Sequence, residues 1–342
     1  MKNIFILGSG AWGTAMAMHA TKNVNQYPVK LWCRSAVLAD EIATTHQNQK
    51  YLPGISLPNE LSIVHDWAQL FSVAGEQDLL VIATPVAGLK ETVHQLVQLK
   101  QMPKNWVWLC KGLEPETSLM PHQVIQRELT QAGALNLGIK TAVLSGPSFA
   151  SEVAKGMPCA LTVASDSDEL IQLTQNVFHH GNMRVYGSHD IVGVELGGAI
   201  KNVLAIATGI GDGLGLGLNA RAALLTRGLS EMMRLITAMG GKPETAMGLT
   251  GVGDLILTAT GDLSRNRQVG LQLASGKKLA DILGALGHVA EGVRCAQAVG
   301  ALAQKQAVEM PITQMVCEVL FNGLDPAKAV KLLMSRDAKS EA

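Results

Sequence analysis

The sequence predicts an α/β domain with a mostly parallel, doubly wound sheet, followed by an all-α domain. The chain has 342 residues, more than a single hydrophobic core usually holds, so two domains are expected. Short apolar or β-branched runs alternate with helical patterns up to about residue 188, which is typical of parallel strands joined by crossover helices. Beyond that point Ala-, Leu-, Met- and Gly-rich helical segments replace the strand-like runs. The expected domains are 1–188 and 189–334, with a polar tail at 335–342.

The individual elements follow from apolar runs and helical periodicity. Strands are predicted at 3–8, 29–33, 79–84, 106–110, 141–146, 159–165 and 183–188. Helices are predicted between them at 11–24, 35–46, 86–99, 117–132 and 168–179. The segment 192–214 is apolar nearly all round, so it should form a central, buried helix.

Composition excludes several classes of function. The chain is 47% hydrophobic and 16% charged, as expected for a well-buried globular protein. Its 28 basic residues balance its 28 acidic residues, so there is no overall field to attract nucleic acid or an acidic membrane surface. Any anion must therefore be bound locally, which favours a small-molecule partner.

The cysteines and the N-terminus indicate a cytoplasmic protein. Five widely separated cysteines include no CxxC pair, so neither a metal centre nor a redox couple is expected, and reduced thiols fit the cytosol. The apolar start resembles a signal peptide, but Gly8, Ser9, Gly10 and Gly13 interrupt it. No other stretch is apolar enough to insert into a membrane without glycine clusters or charges.

A GxGxxG motif directly follows the first predicted strand and opens the first predicted helix. In it Gly8 permits the tight turn, Gly10 lets a pyrophosphate approach the backbone, and Gly13 allows the helix to pack on the strand. The helix N-terminus then offers N–H groups to the anion. This context predicts a Rossmann domain that binds a dinucleotide.

The end of the second strand bears on the choice of dinucleotide. The acidic residue that usually binds the ribose 2′-hydroxyl is missing, and Arg34 stands there instead. An arginine suits a 2′-phosphate, so NADP is acceptable beside NAD, and use of NADPH is favoured. The alternative is that Arg34 is an ordinary surface residue.

Two further places in the first domain are candidate anion contacts. Lys111 follows an apolar strand at the carboxyl edge of the sheet, where open α/β sheets bind ligands, although a lysine there can also be simply solvated. In the segment 145–156, Ser145 or Gly146 is expected to cap a helix that starts at Pro147. Ser148 and the backbone would then form a small anion site, or merely a helix cap.

Lys201 is the most informative residue of the second domain. Burial in an apolar helix lowers the pKa of a lysine and suits it to proton transfer, and Asn202 beside it is a candidate substrate contact. The alternative is a structural ion pair with Glu195 or Asp254. Asp254 is expected in a glycine-rich turn.

A cluster of polar residues follows that turn. It consists of Ser264, Arg265, Asn266 and Arg267. These side chains are suited to binding a phosphate; the alternative is that they are solvated residues of a loop. Glu291 follows at a later turn.

Taken together, a series of motifs resembles the bacterial NAD(P)-dependent glycerol-3-phosphate dehydrogenase family. They are, in order, GSGAWGTA, CKGLE, LSGPSFA, ELGGAIKNVLAIATGIGDGLG, GLTGVGDLILTAT, SRNR and VAEGV. They run from residue 6 to about residue 295, and GAIKN and SRNR are far more specific than the glycine fingerprint. The resemblance implies reversible hydride transfer between NAD(P)H and dihydroxyacetone phosphate, giving sn-glycerol 3-phosphate for phospholipid synthesis.

The resemblance also implies roles by position. Cofactor contacts are implied for Ala11, Trp12, Arg34, Lys111, Ala150, Arg265, Val289 and Glu291. Substrate contacts are implied for Lys111, Gly146, Ser148, Asp254, Ser264, Arg265 and Asn266. Lys201 matches the proton acceptor, with Lys111 stabilising charge and Asp254 orienting Lys201. Ala11 departs from the family, because many members have serine there, so one hydroxyl contact to the cofactor is absent.

Two other functions are compatible with parts of the pattern. One is a two-domain dehydrogenase for a different hydroxy acid, since Arg265 would serve a carboxylate as well as a phosphate. The other is a non-catalytic nucleotide sensor on the same fold, against which the presence of Lys111, Lys201 and Asp254 in one chain argues. A homodimer is the default assembly for such enzymes.

Overall fold

The computed structural model describes residues 2–99, 101–286 and 290–337. Contacts between Cα atoms divide the chain into two compact units. The first unit comprises residues 1–111 and 120–194, and the second comprises residues 112–119 and 195–342. Sequence texture changes at residue 188, whereas the contacts keep residues 189–194 with the first unit and assign the short segment 112–119 to the second.

The first unit is built on one sheet with the strand order β3-β2-β1-β4-β5-β6-β7-β8 within the described residues. The strands are β1 (Ile4–Leu7), β2 (Val29–Trp32), β3 (Ser62–Val64), β4 (Leu79–Ile82), β5 (Asn105–Trp108), β6 (Lys140–Ser145), β7 (Cys159–Ser165) and β8 (Met183–Ser188). All neighbouring pairs are parallel except β6 with β7. The carboxyl ends of β1 to β6 therefore lie along one edge, and the strand order reverses direction between β1 and β4.

Helices connect these strands. They are α1 (Ala11–Thr21), α2 (Ala36–Thr45), α3 (Trp67–Phe71), α4 (Leu89–Val97), α5 (Pro121–Gln131), α6 (Ala150–Ala154) and α7 (Asp168–Phe178). Short 3-10 turns lie at Val86–Gly88 and Leu135–Leu137. The four residues of β1 are fully buried, as expected for a strand covered by helices on both faces. With the helical second unit described below, this confirms the predicted fold class.

The first unit departs from the sequence predictions in three places. β3 and α3 were not predicted, because each is too short to show a period. Helix α5 begins at Pro121, not at residue 117. The prediction of a helix starting at Pro147 was wrong: α6 begins at Ala150, and Gly146, with φ of 142°, leads into a non-helical segment before it.

The second unit contains helices and connecting turns, with no strand among its described residues. Its helices are α8 (Ile191–Gly213), α9 (Gly217–Ala238), α10 (Pro243–Ala246), α11 (Asp254–Thr260), α12 (Arg265–Ala274), α13 (Leu279–Ala285), α14 (Glu291–Lys305), α15 (Pro311–Phe321) and α16 (Pro326–Met334). A π-helical turn, Leu249–Gly253, leads into α11. The first residues of α8 belong to the first unit and the rest to the second.

Helix α8 is the central helix that the sequence predicts. It is long and apolar enough to cross a membrane by length and composition, but 89% of its most apolar stretch is buried inside the protein. A helix that is apolar all round and buried by its neighbours is a core helix.

Glycine lets α8 and α12 approach closely. A Cβ atom on Gly209 would lie 2.2 Å from the carbonyl oxygen of Arg267, and one on Gly270 would lie 2.1 Å from that of Ile206. Both distances are far below van der Waals contact, so only glycine permits this crossing. The crossing fixes the start of α12, which contains the predicted phosphate cluster, against the helix that carries Lys201.

Candidate active site

The glycine motif forms the turn between β1 and α1. Gly8 has φ of 118°, and a Cβ atom there would lie 2.9 Å from the carbonyl oxygen of Ala83 at the end of β4. A Cβ atom on Gly13 would lie 2.0 Å from the carbonyl oxygen of Gly8. The turn and the packing of α1 on β1 therefore both require glycine.

Gly10 has a different environment. Apart from Gly10 itself and its two chain neighbours, no heavy atom of the described residues lies within 4 Å of a Cβ atom placed on it. Gly10 is the N-cap of α1, and Ala11 and Trp12 are the first two residues of the helix, both partly buried. The space beside Gly10 adjoins the positive end of the α1 dipole, so this turn suits the pyrophosphate of a dinucleotide.

Arg34 lies two residues beyond β2, at the carboxyl edge of the sheet, and is exposed. Ser35 next to it caps α2 by accepting a hydrogen bond from the backbone N–H of Leu38, at 3.3 Å. The first carboxylate after β2 is Asp40, inside α2. The turn after β2 thus presents a guanidinium in the place where NAD-specific folds present a carboxylate.

The ends of β5 and β6 bring three predicted residues together. The Lys111 ammonium donates a hydrogen bond to the carbonyl oxygen of Gly146, at 2.9 Å. The Ser148 hydroxyl donates to the same oxygen, at 3.1 Å. A Cβ atom on Gly146 would lie 2.9 Å from the carbonyl oxygen of Ala160, so this tight turn requires glycine. Ala150 follows as the first residue of α6 and is partly buried.

Lys201 and Asp254 form a buried ion pair in the second unit. Lys201 Nζ lies 3.1 Å from Asp254 Oδ1 and donates a hydrogen bond to Thr258 Oγ1 at 2.8 Å. Thr258 in turn donates to the same carboxylate oxygen, at 3.2 Å. Lys201 is 8% exposed and Asp254 is 1% exposed. The carboxylate partner predicted as one alternative is therefore present, and Lys201 keeps a small opening to solvent.

The π-helical turn and α11 position this carboxylate. A Cβ atom on Gly197 of α8 would lie 2.8 Å from the carbonyl oxygen of Thr250, so the turn packs directly on the helix of Lys201. Asp254 is the first residue of α11 rather than part of a loop, which corrects the predicted turn. Thr258 was missed by the sequence analysis. Its spacing of i+4 from Asp254 on a helix was a signal that could have found it.

A second polar chain runs beside the ion pair. Asn266 Nδ2 donates a hydrogen bond to Asn202 Oδ1 at 2.8 Å, and the backbone N–H of Gly292 donates to Asn266 Oδ1 at 3.0 Å. A Cβ atom on Gly292 would lie 2.7 Å from Asn266 Oδ1, so the N-terminal turn of α14 packs closely on both amides. The structure thus joins Asn202, which follows Lys201 on α8, to Asn266 on α12.

The remaining predicted residues lie at helix starts. Buried Ser264 is the N-cap of α12, where its hydroxyl accepts from the N–H of Arg267, and Arg265 is the exposed first residue of that helix. Glu291 is the exposed first residue of α14. Val289 lies outside the described residues. The predicted loop cluster is therefore the N-terminus of a helix.

Arg267 differs from its neighbours in the cluster. It lies 2.9 Å from the Asp212 carboxylate at the end of α8 and 3.1 Å from the Asp262 carboxylate. Arg221 of α9 lies 2.8 Å from the same Asp212 side chain. Arg267 therefore anchors α12 to α8. Of the two arginines in the cluster, Arg265 is the one that is exposed to solvent.

Cys295, a buried cysteine whose thiol is affected by the charge of Lys201, indicates that little solvent reaches this region. Burial raises the pKa of its thiol to about 12, and the nearby charge of Lys201 only partly opposes that rise. Its Sγ atom lies 3.5 Å from the carbonyl oxygen of Ala199 on α8. A charge in such surroundings interacts more strongly with its partners than it would in water.

These features define a class of protein. The first unit has the turn, the helix N-terminus and the strand-end arginine of a dinucleotide-binding domain, and the second holds a buried lysine paired with a carboxylate. Together they describe a two-unit, nicotinamide-dependent dehydrogenase of the Rossmann type.

Comparisons with known proteins give the family. Residues 3–171 match the model of the NAD-dependent glycerol-3-phosphate dehydrogenase N-terminus, and residues 190–331 match that of its C-terminus. The chain belongs to the NAD-dependent glycerol-3-phosphate dehydrogenase family. The family predicted from the motifs is thereby confirmed.

Individual relatives agree along the whole chain. The chain is 61% identical over 340 residues to a glycerol-3-phosphate dehydrogenase, NAD(P)+, of Polynucleobacter asymbioticus, covering 99% of each chain. It is 58% identical over 340 residues to the protein of that name from Ralstonia nicotianae, covering 99% of each. The crystal structure of glycerol-3-phosphate dehydrogenase from Coxiella burnetii superposes with a TM-score of 0.90 at 40% identity, covering 98% of this chain and 99% of that one.

Proposed function

We propose that this chain is an NAD(P)-dependent glycerol-3-phosphate dehydrogenase that interconverts dihydroxyacetone phosphate and sn-glycerol 3-phosphate. The observation that carries the proposal is Lys201. It is a buried lysine on the central helix of the second unit, ion-paired with Asp254 and still 8% exposed. A lysine held in this way can exchange a proton with a substrate oxygen.

The first unit holds the cofactor in this proposal. The backbone at Gly8, Gly10 and Gly13 and the N-terminal turn of α1 at Ala11 and Trp12 bind the pyrophosphate. Arg34 binds the 2′-phosphate, which favours NADPH without excluding NADH. By their positions in the family's motifs, Ala150, Val289 and Glu291 are proposed as further cofactor contacts. When bound, the nicotinamide supplies or accepts the hydride at C2 of the substrate.

Lys201 handles the proton at the C2 oxygen. In the direction of reduction, the Lys201 ammonium donates a proton to the oxygen on which negative charge develops, and the lysine becomes neutral. In the direction of oxidation, neutral Lys201 removes the hydroxyl proton. Asp254 stabilises and orients the ammonium, and Thr258 fixes the direction in which its N–H groups point. Lys111 adds positive charge for the substrate.

Helix α12 holds the phosphate of the substrate. Arg265 is exposed at the first position of the helix and supplies a fork of donors, which suits a phosphate. Ser264 and Asn266 lie beside it, and Asn202 is fixed to Asn266 by a hydrogen bond of 2.8 Å. Gly146 and Ser148 are proposed as additional substrate contacts. Because a helix N-terminus with these side chains favours an anion, the enzyme should require the phosphate group of its substrate.

The cellular setting follows from the reaction. We propose that the enzyme works in the cytoplasm as a homodimer and supplies glycerol 3-phosphate for phospholipid synthesis. Light scattering coupled to gel filtration tests the assembly, because a monomer and a dimer of a 36.2 kDa chain differ twofold in mass.

The decisive experiment measures oxidation of NADPH and, separately, NADH by purified protein with dihydroxyacetone phosphate. Unphosphorylated dihydroxyacetone is the control substrate. Turnover that depends on the phosphate, with NADPH at least as effective as NADH, is expected. Equal rates with the control substrate would contradict the role of α12, and no turnover despite NADPH binding would contradict the activity.

A further inference from the structure

Asn48 is a fully buried asparagine next to the glycine motif, and the sequence analysis did not single it out. Its side-chain amide donates a hydrogen bond to the carbonyl oxygen of Ser9, inside the motif, at 2.9 Å. The same amide donates to the Thr14 hydroxyl on α1, also at 2.9 Å. Asn48 is 0% exposed, and so is Thr14.

The Ser9 carbonyl is the group these contacts restrain. The Thr14 hydroxyl also donates to it, at 3.3 Å. The N–H groups of the motif and of the α1 N-terminus bind an anion only if the backbone between Gly8 and Gly10 keeps its orientation. A carbonyl held by two donors cannot rotate without leaving buried polar groups unpaired.

Asn48 is itself held by a compact loop of the first unit. Its Oδ1 accepts a hydrogen bond from the N–H of Tyr51 at 3.3 Å, and its backbone carbonyl accepts from the N–H of Leu52 at 2.8 Å. The loop closes on itself through the N–H of Leu57, which donates to the carbonyl of His46 at 2.7 Å. Asn48 thus connects this rigid loop to the glycine motif.

We propose that Asn48 is a positioning residue for cofactor binding: it fixes the Ser9 carbonyl and thereby orders the glycine turn before the dinucleotide arrives. This inference rests on the proposed function, in which that turn binds the pyrophosphate. Preorganisation of this kind raises affinity because less order must be imposed on binding. Loss of Asn48 should weaken cofactor binding without changing the chemical step.

The chain offers a closely matched control at the other end of the same helix. Asn23, 3% exposed, follows α1 and donates from its side-chain amide to the carbonyl oxygens of Asn176 and Val177, at 2.8 and 2.9 Å. Its Oδ1 accepts from the N–H of Asn25 at 2.8 Å. Asn23 and Asn48 therefore have the same residue type, burial and number of side-chain bonds, but only Asn48 contacts the glycine motif.

The experiment compares Asn48→Ala with Asn23→Ala. The measurements are the dissociation constant for NADPH by fluorescence titration, KM for NADPH, KM for dihydroxyacetone phosphate, kcat and thermal stability. Both variants are expected to melt earlier than the wild type. Only Asn48→Ala should raise the dissociation constant and KM for NADPH, by about tenfold, with kcat and the other KM within about twofold of the wild type.

Equal NADPH affinity in the two variants would overturn the proposal and leave Asn48 with a structural role only. If Asn48→Ala does not fold, Thr14→Val decides, because it keeps the side-chain shape and removes the hydroxyl. A rise of about threefold in the NADPH dissociation constant is then expected, and an unchanged constant overturns the proposal.

Gly10→Val distinguishes a failure of the role of Asn48 from a failure of the proposed function. If Gly10→Val loses NADPH binding while Asn48→Ala binds NADPH normally, only the role of Asn48 fails. If the wild type binds no NADPH, the proposed function itself fails.

Discussion

The glycine turn of the first unit and the Lys201 cluster of the second are built in opposite ways. The turn relies on backbone groups and on missing side chains, since Gly8 and Gly13 permit contacts that any Cβ atom would prevent. The cluster relies on buried side chains, since Lys201, Asp254 and Thr258 satisfy one another within 3.2 Å. One region is suited to recognising a constant anion, and the other to moving a proton.

This contrast divides the effects of substitution. In a backbone site, adding atoms should harm binding or folding while the chemistry is spared. In a side-chain site, removing one functional group should harm the chemistry while the cofactor still binds.

Lys201→Ala should lower kcat by about a hundredfold to ten-thousandfold, the range that general acid–base catalysis contributes. The dissociation constant for NADPH should stay within about twofold of the wild type, because Lys201 is proposed to contact the substrate oxygen and not the cofactor. Steady-state kinetics and fluorescence titration measure the two quantities. Lys201→Arg is the matched control: it keeps the charge beside Asp254 but cannot give up its proton, so it too should be inactive. Substantial turnover by the arginine variant would show that Lys201 acts only through its charge.

Gly10 and Gly13 should respond differently to an added side chain. Gly10→Val should raise the dissociation constant for NADPH by about a hundredfold, since its side chain would occupy the space of the pyrophosphate. It should lower the melting temperature only slightly, as expected for a poorer N-cap, because beyond the two chain neighbours no described atom lies within 4 Å of the added Cβ atom. Gly13→Ala should instead lower the melting temperature, because its Cβ atom would lie 2.0 Å from the Gly8 carbonyl oxygen. Normal NADPH binding by a folded Gly10→Val protein would contradict the assignment of the turn.

His19, a partly buried residue in the last turn of α1, is a titratable group for which no role in the chemistry is proposed. Burial lowers the pKa of His19 from 6.5 to about 4, while its hydrogen bond to the Phe178 carbonyl opposes the shift and His180 and Lys22 add to it. Its ring stacks on that of His180 with the centroids 4.0 Å apart. The unfolded chain takes up a proton at higher pH than the folded chain, so stability is fully present above about pH 6.5 and is lost as pH falls towards 4.

This titration predicts a loss of about 2 kcal/mol between pH 7 and pH 5 from His19. His19→Gln keeps a donor for the Phe178 carbonyl and removes the titrating ring, so its stability should fall less over this range. Chemical denaturation at the two pH values measures the difference, with the exposed His65→Gln as the control. An equal loss in His19→Gln and the wild type would refute the contribution of His19. Because His19 lies at the far end of α1 from the glycine turn, NADPH affinity should not follow this titration.

Substitution of Arg34 tests whether its side chain determines the preference for NADPH over NADH. Arg34→Ala should raise KM for NADPH by about tenfold, the value of a charge-assisted contact to phosphate at the surface, and leave KM for NADH within about twofold. The effect should shrink at high salt, because the residue is exposed. A matching rise in KM for NADH would mean that Arg34 does not discriminate between the two cofactors.

Local patterns were sufficient for much of the fold. The buried strand β1, the glycine motif and the start of α1 follow one another directly along the chain, so their spacing carries the signal. The segment 192–214 also behaved as its composition predicted, as α8. By contrast, β3 and α3 have three and five residues, too few to show a period, and they are held in place by the neighbouring β2.

The helix starts were harder to predict than the helices themselves. Gly146 and Pro147 read locally as a cap, but the chain stays non-helical up to Phe149, and the Ser148 hydroxyl bonds to the Gly146 carbonyl instead. Asp254 and Ser264 read as loop residues because glycine surrounds the first and polar residues surround the second. In the structure each lies at the start of a helix that packs on its neighbours.

The sequence by itself determined the fold class, the glycine turn, the family and the residue types available for chemistry, because each depends on neighbours along the chain or on a motif in order. Only the tertiary structure decided which of these residues meet. It paired Lys201 with Asp254, added Thr258, joined Asn202 to Asn266, and placed Asn48 against the Ser9 carbonyl. These contacts join residues 39 to 64 positions apart. Close approaches at Gly197 and Gly292 accompany the contacts of Lys201 and Asn202, and such packing depends on neighbours that no local pattern encodes.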